Sequence, residues 1–241
     1  MRYGIISDIH GNFEALDVAI GHLKSLDVDA FVCVGDIVGY GADPNSCMDA
    51  VRDLTEKVVA GNHDCAAVGL TDIEHFNQYA RESALWTARN LNAAHNQYIK
   101  MLPLTLSLEN ALIVHATPNE PQQWSYLMTQ FQFMNAFHHF AEKICFIGHS
   151  HLPIVFQQSE QSSGPVEGTL FHLVDRSRYI VNVGSVGQPR DNDPRLCCCL
   201  YDSSKMTVEL LRLEYDVGRA QDKIRQAGLP EFLAQRLAFG E

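Results

Sequence analysis

"GIISDIHGN", residues 4–12, is the stretch whose reading decides the fold. Its apolar run up to Ile6 has the composition of a buried strand. The run then breaks into Asp8-Ile9-His10-Gly11. In extended backbone, residues two apart face the same side, so Asp8 and His10 present a carboxylate and an imidazole together. Alone, the pair reads better as a helix-cap aspartate beside a surface histidine. Its meaning depends on partners elsewhere in the chain.

Downstream, "FEALDVAIGHLKSL" sets Phe13, Leu16, Ile20, Leu23 and Leu26 on one helical face. "AFVCVGD" reads as a second buried strand, Pro44 opens a helix over "NSCMDAVRDL", and "KVVAGN" reads as a third strand. A βαβαβ start argues for parallel strands. Residues 74–102 read as helix throughout, with no proline. "TLSLENALIVH" reads as a hairpin turning at Glu109-Asn110, and residues 129–140 as a helix. The second half is read as strands at 153–157, 169–174, 178–183, 196–202 and 205–213, with "QQSEQSSGP" as an exposed connection. Helices come after Tyr215, broken at Gly228 and Pro230. No repeat or linker interrupts residues 1–241, so the expectation is one α/β (α+β) domain: two sheets packed face to face, with helices outside.

Five strand-like runs end in residues with metal-binding or acid–base chemistry. The first leads to Asp8 and His10, "FVCVG" to Asp36, "KVVAG" to Asn62 and His63, "ALIV" to His115, and "ICFIG" to His149 and His151. Ligands of α/β sheets bind outside the carboxyl ends of strands, so these residues could meet at one rim. Aspartate, asparagine and histidine offer oxygen and nitrogen donors suited to manganese, iron, zinc or nickel. Each residue has its own bland reading: Asp36 as a turn former, Asn62 as an Asx turn, His115 as a core histidine, His149 and His151 as loop residues. Their joint appearance favours a metal site. His22, His75, His95, His138, His139 and His172 keep the bland reading.

The bulk properties narrow the field. The formal net charge of −11 and the absence of a basic tract disfavour long nucleic acids and anionic membranes as partners. "MRYGIIS" is too short and too quickly polar for a signal peptide, and no run approaches the length of a membrane span. The seven cysteines form no CxxC pair and lie mostly in strand-like runs, which fits buried reduced thiols in a cytoplasmic protein. The adjacent Cys197, Cys198 and Cys199 alternate between strand faces and read as packing rather than a metal cluster.

Taken in order, D-x-H, GD, GNHD, a lone histidine and GHSH resemble the calcineurin-like metallophosphoesterase superfamily. "NVGSVGQPRD" at 182–191 resembles a loop of its small bacterial and archaeal phosphodiesterase branch. The resemblance implies a four-layer, helix-flanked β-sandwich. It also implies two divalent metal ions, one held by Asp8, His10, Asp36 and His151, the other by Asp36, Asn62, His115 and His149, with Asp36 bridging. The residue before the lone histidine is Val114, where many relatives have glycine. The resemblance further implies hydrolysis of a phosphodiester or phosphomonoester by a hydroxide shared between the metals. His63 would act beside the phosphate, with Asp64 orienting it, and Asn62 and His63 would contact substrate. Two divalent ions bring about +4 and Asp8, Asp36 and a hydroxide remove about 3, so the site would stay positive in an acidic chain. Arg190 is a candidate phosphate clamp, or else structural. Tyr40 and the Trp124-Ser125-Tyr126 loop could shape a leaving-group pocket. The expected partner is a small phosphate ester. A scaffold that binds without turnover, a nuclease of short substrates and a protein phosphatase are the competing readings.

Overall fold

The computed structural model describes residues 1–241. The chain opens β1 (Arg2–Ile6), α1 (Phe13–Ser25), β2 (Ala30–Cys33), α2 (Pro44–Leu54), α3 (Asn62–Ala67), α4 (Gln78–Asn90) and α5 (Ala93–Met101). It continues β3 (Thr105–Leu108), β4 (Ala111–Val114), α6 (Gln130–Ala136), β5 (Ile144–Ile147), β6 (Ile154–Gln158), β7 (Ser163–Val166), β8 (Leu170–His172) and β9 (Arg178–Asn182). β10 (Leu196–Asp202), β11 (Thr207–Leu213), α7 (Val217–Gln226) and α8 (Glu231–Gln235) complete it.

One sheet runs in the order β2-β1-β10-β11-β8 and the other β3-β4-β5-β9-β6-β7. Strand alternation sorts the side chains into layers. Tyr3, Ile5, Val32, Cys199 and Tyr201 of the first sheet meet Ile113, Phe146 and Val181 of the second in the core between the sheets. Ile6, Cys33 and Cys198 point the other way, under Leu16 and Leu23 of α1 and Met48 of α2. On the outer face of the second sheet, Cys145, Ile147 and Ile180 pack beneath Phe133 and Ala136 of α6. The result is the expected sandwich of two sheets between helical layers. Cys198 and Cys199 occupy opposite layers, and all seven cysteines are free and buried.

Pairing directions place the site. β1 and β2 are parallel, as are β4, β5 and β9. Their carboxyl ends open onto one rim, where the loops carrying Asp8, His10, Asp36, His115, His149 and His151 converge.

Several local expectations are corrected. Residues 57–61 form only one parallel bridge, Cys33 to Val58, because the next N–H on that side, Gly61, donates to Asp64 Oδ2 instead. Asn62 is then the first residue of α3, not the end of a strand. The expected helix over 74–102 starts at Gln78 and breaks at Leu91–Asn92. There the Asn92 side chain accepts from His95 N at 2.8 Å and caps a new helix, so no proline is needed. The helix expected over 129–140 is capped by Thr129 and passes into a 3-10 turn at Phe137–His139. The polar stretch near 160 holds β7, an edge strand that tolerates Pro165. The antiparallel second half also contains the parallel pair β5–β9.

Candidate metal centre

The rim is built from backbone that ordinary residues avoid. Asp8, His10, Asp36, His149 and His151 all have φ between 50° and 66°. Left-handed backbone is costly for residues other than glycine, and persists where surrounding contacts over-determine it. Here those contacts are visible. The Asp8 N–H donates to the Gly35 carbonyl and the His10 N–H to the Asp36 carbonyl, lacing the β1 and β2 loops together. Close approach needs glycine at two places. A Cβ on Gly61 would lie 2.1 Å from Asp36 Oδ1, and one on Gly187 would lie 1.8 Å from the Ile9 carbonyl oxygen.

The turned side chains form two groups. Asp8, His10 and His151 point their ligand atoms together, and so do Asp36, His115 and His149. Asp36 Oδ2 lies 3.3 Å from His115 Nε2 and 3.7 Å from His10 Nε2, within reach of both groups. Asn62, at the head of α3, places Oδ1 3.2 Å from His115 Nε2. All seven expected ligands therefore converge, and every one is buried.

The histidine partners reveal which atoms face inward. The carbonyls of Val38, Gln188 and Val34 accept from Nδ1 of His10, His151 and His115. The Trp124 carbonyl accepts from His149 Nε2 at 2.9 Å, leaving Nδ1 of that ring free. Such partners orient a ring and leave its other nitrogen as a donor to metal. Consequently the lone pairs on Nε2 of His10 and His151 face each other at 3.1 Å. Two acceptors at that range repel unless a cation or a proton lies between them. The donor set therefore fits divalent metal.

Electrostatics agree. Burial pushes His10 well below its ordinary value, so its proton does not relieve the contact with His151. Burial would raise the Asp8 carboxyl, yet the His151 and His115 imidazoles pull it below the usual carboxylate range. Burial likewise opposes charge on His115, but Asp36 draws that ring up to about 9. Each carboxylate demands positive charge from its surroundings.

His63 lies beside these groups without joining them. Its N–H donates to Asp36 Oδ1 at 2.8 Å, and its ring packs 4.4 Å from Tyr40 and 5.1 Å from Phe76. Burial holds the imidazole down to about 4, and its Nδ1 has no partner. Asp64, expected to orient His63, makes no hydrogen bond to its ring. Asp64 accepts instead from the N–H groups of Ile37, Val38 and Gly61, tying the β2 loop to the start of α3. Arg190 is half-buried, 5.6 Å above the Tyr40 ring, and donates from Nη2 to Gln188 Oε1; its Nε has no partner.

The loop after β9 has a function that its residue types did not advertise. Ser185 Oγ donates to the Asp8 carbonyl at 2.8 Å, and the Val186 and Gly187 N–H groups donate to the carbonyls of Ser7 and Asp8. Ser7 Oγ donates to Asp8 Oδ2 at 2.6 Å. Asn62, His63 and His149 form the floor of a cleft of about 420 Å³ walled by Tyr40, Phe76, Trp124 and Tyr126. His75, given no role from sequence, lines it too. His95 pairs with Asp49 at 2.7 Å, consistent with its bland reading.

The comparisons with known proteins agree with this geometry. Residues 1–206 match the calcineurin-like phosphoesterase superfamily domain. The uncharacterised protein MJ0912 of Methanocaldococcus jannaschii is 36% identical over 241 residues, covering 98% of this chain and 97% of its own. The crystal structure of a metallophosphoesterase from Sphaerobacter thermophilus superposes with a TM-score of 0.90 at 36% identity, covering 100% of this chain and 99% of that one. The hypothetical protein PH1004 of Pyrococcus horikoshii shares the fold at a TM-score of 0.82 and 18% identity, covering 100% of this chain and 98% of its own. No helix is long and apolar enough to cross a membrane. From strand topology, rim chemistry and these likenesses together, the chain belongs to the calcineurin-like phosphoesterase superfamily.

Proposed function

We propose that this protein hydrolyses a small phosphate ester, with a phosphodiester as the leading substrate class, using two divalent metal ions. The observation that carries the reading is the pair of inward-facing donor groups sharing Asp36 at the floor of an open cleft. Asp8, His10, Asp36 and His151 would hold one ion; Asp36, Asn62, His115 and His149 the other. When bound, the ions supply Lewis acidity to phosphoryl oxygens and acidify water near neutral pH.

The chain's own residues divide the remaining work. The carbonyls of Val38, Val34, Gln188 and Trp124 hold the rings in fixed tautomers. His63 is the candidate acid. Burial keeps its ring neutral before substrate arrives. An anionic phosphate opposes that effect and favours protonation, so the ring gains its proton where a leaving oxygen needs one. Arg190, linked to the His151 support through Gln188, would hold a phosphate oxygen with its guanidinium. Asp64 acts as a positioning residue, holding α3 and hence His63 against Asp36. Seven buried, reduced cysteines support a reducing compartment such as the cytoplasm.

The test is hydrolysis of a generic aryl phosphodiester beside its matching monoester, with metal-stripped protein refilled with manganese. Diester turnover that depends on the metal and is lost in His63→Ala is the expected result. Monoester turnover alone would make the protein a phosphatase. No turnover of either, with two metals bound, would overturn the hydrolase reading.

A further inference from the structure

The cleft above the metal centre has a composition that phosphate chemistry alone does not require. Its volume of about 420 Å³ suits a small organic molecule. Neither lysine nor arginine lines it, and Arg190, 5.6 Å from the Tyr40 ring, is the residue proposed for the phosphate at the metal centre, so the lining itself offers a second phosphate no counter-charge. Aromatic rings and neutral amides, Phe76, Trp124 and Tyr126 with Asn77, Gln122 and Gln123, make up much of its wall, beside His75 and the one carboxylate, Asp72. The inner face of Tyr126 stacks on His149, with centroids 4.0 Å apart and planes 20° from parallel. The residue is nonetheless 45% exposed, which leaves its outer side to the cleft and solvent.

The walls are also preformed. Trp124 Nε1 donates to Thr71 Oγ1 at 3.1 Å, joining the loop after β4 to the loop before α4. The Trp124 carbonyl accepts from His149, joining that same wall to the metal centre. Trp124 has φ 54° and Glu120 φ 46°. Left-handed backbone at a tryptophan is uncommon, and here the strained residue is the one that links wall to floor.

We propose that this cleft binds the organic arm of the ester, and that the arm is a nucleoside. Its flat base would lie against Tyr126 and Phe76, with its polar edge meeting the amides of Asn77 and Gln123. Aromatic faces accept any base, whereas neutral amides match the mixed donors and acceptors of a base edge. A lipid tail would leave those amides unpaired, and an acidic peptide would meet Asp72 and no cation in the lining. The phosphate position rests on the proposed phosphoesterase activity; the base site does not depend on turnover.

The experiment measures binding of adenosine 5′-monophosphate and ribose 5-phosphate to the manganese-loaded protein by equilibrium dialysis. The two probes share sugar and phosphate and differ only in the base. The expected result is binding of the nucleotide at least about tenfold tighter, the scale of one stacked base. Tyr126→Ala, at an exposed position, should remove most of that preference, and Tyr126→Phe should keep it. Equal affinity for the two probes, or a preference unchanged in Tyr126→Ala, would overturn the proposal. Hydrolysis of a generic methyl aryl phosphodiester by the same preparation separates the two readings. Turnover without base preference removes the nucleoside and leaves the hydrolase. Base preference without turnover does the reverse.

Discussion

The two halves of the metal centre are built from similar residues but face different surroundings. Asp8, His10 and His151 are sealed at about 1% exposure or less, and their supports are the interior carbonyls of Val38 and Gln188 and the Ser7 hydroxyl. The other half keeps Asp36 and His115 equally deep, but His149 and Asn62 open onto the cleft. One of its rings is held by Trp124, on the loop that forms the cleft wall. The difference teaches a division of labour. Under the proposed function, the sealed half would be an anchor out of reach of substrate. The open half would meet substrate, and its geometry is tied to the cleft wall through Trp124.

The strongest way to break that division is Asp36→Asn, because this carboxylate reaches both halves. Both metal affinities should fall together by about a hundredfold or more, and turnover should fall with them. Two tightly held metals per chain, read by elemental analysis, would show the halves to be independent. Next in size is His63→Ala, which should lower turnover by about 10²–10⁴-fold while both metals stay bound. Unchanged turnover would remove His63 from the chemistry. Ser7→Ala touches only the anchor. It should weaken one metal by about ten- to a hundredfold and leave the other unaltered, as a titration monitored by calorimetry would show. The smallest effect is kinetic. Under a chelator the metals should leave in two phases, the open half first, and Tyr126→Ala should accelerate the first phase alone. A single phase would erase the distinction between anchor and open half.

Much of this arrangement was legible in the chain because each donor comes directly after an apolar run. Asp8, Asp36, His115 and His149 announce themselves as the polar residues that end buried strands. The layers were legible for the same reason, since Cys198 and Cys199 can only alternate. The failures have physical causes of their own. "KVVAGN" has strand composition, but its pairing with β2 stops after one bridge, where the Gly61 N–H turns to the Asp64 carboxylate. The resemblance gave Asp64 as the orienting partner of His63. Both lie in α3, where successive side chains do not face one another. The supports from Gln188 and Trp124 are backbone carbonyls, which leave no mark on residue type. β7 was hidden because an edge strand facing solvent needs few apolar residues.

The loop after β9 has a consequence in time as well as in space. Ser185 holds the Asp8 carbonyl across 177 residues of sequence, and Gln188 supports His151 from the same loop. A ribosome adding about 5–20 residues each second makes Asp8 roughly 10–35 s before Ser185 exists. During that interval the Gly35 and Asp36 carbonyls can already hold this backbone, but the supports from the loop after β9 do not yet exist. The candidate site is therefore completed late, once the chain has been made past Gln188.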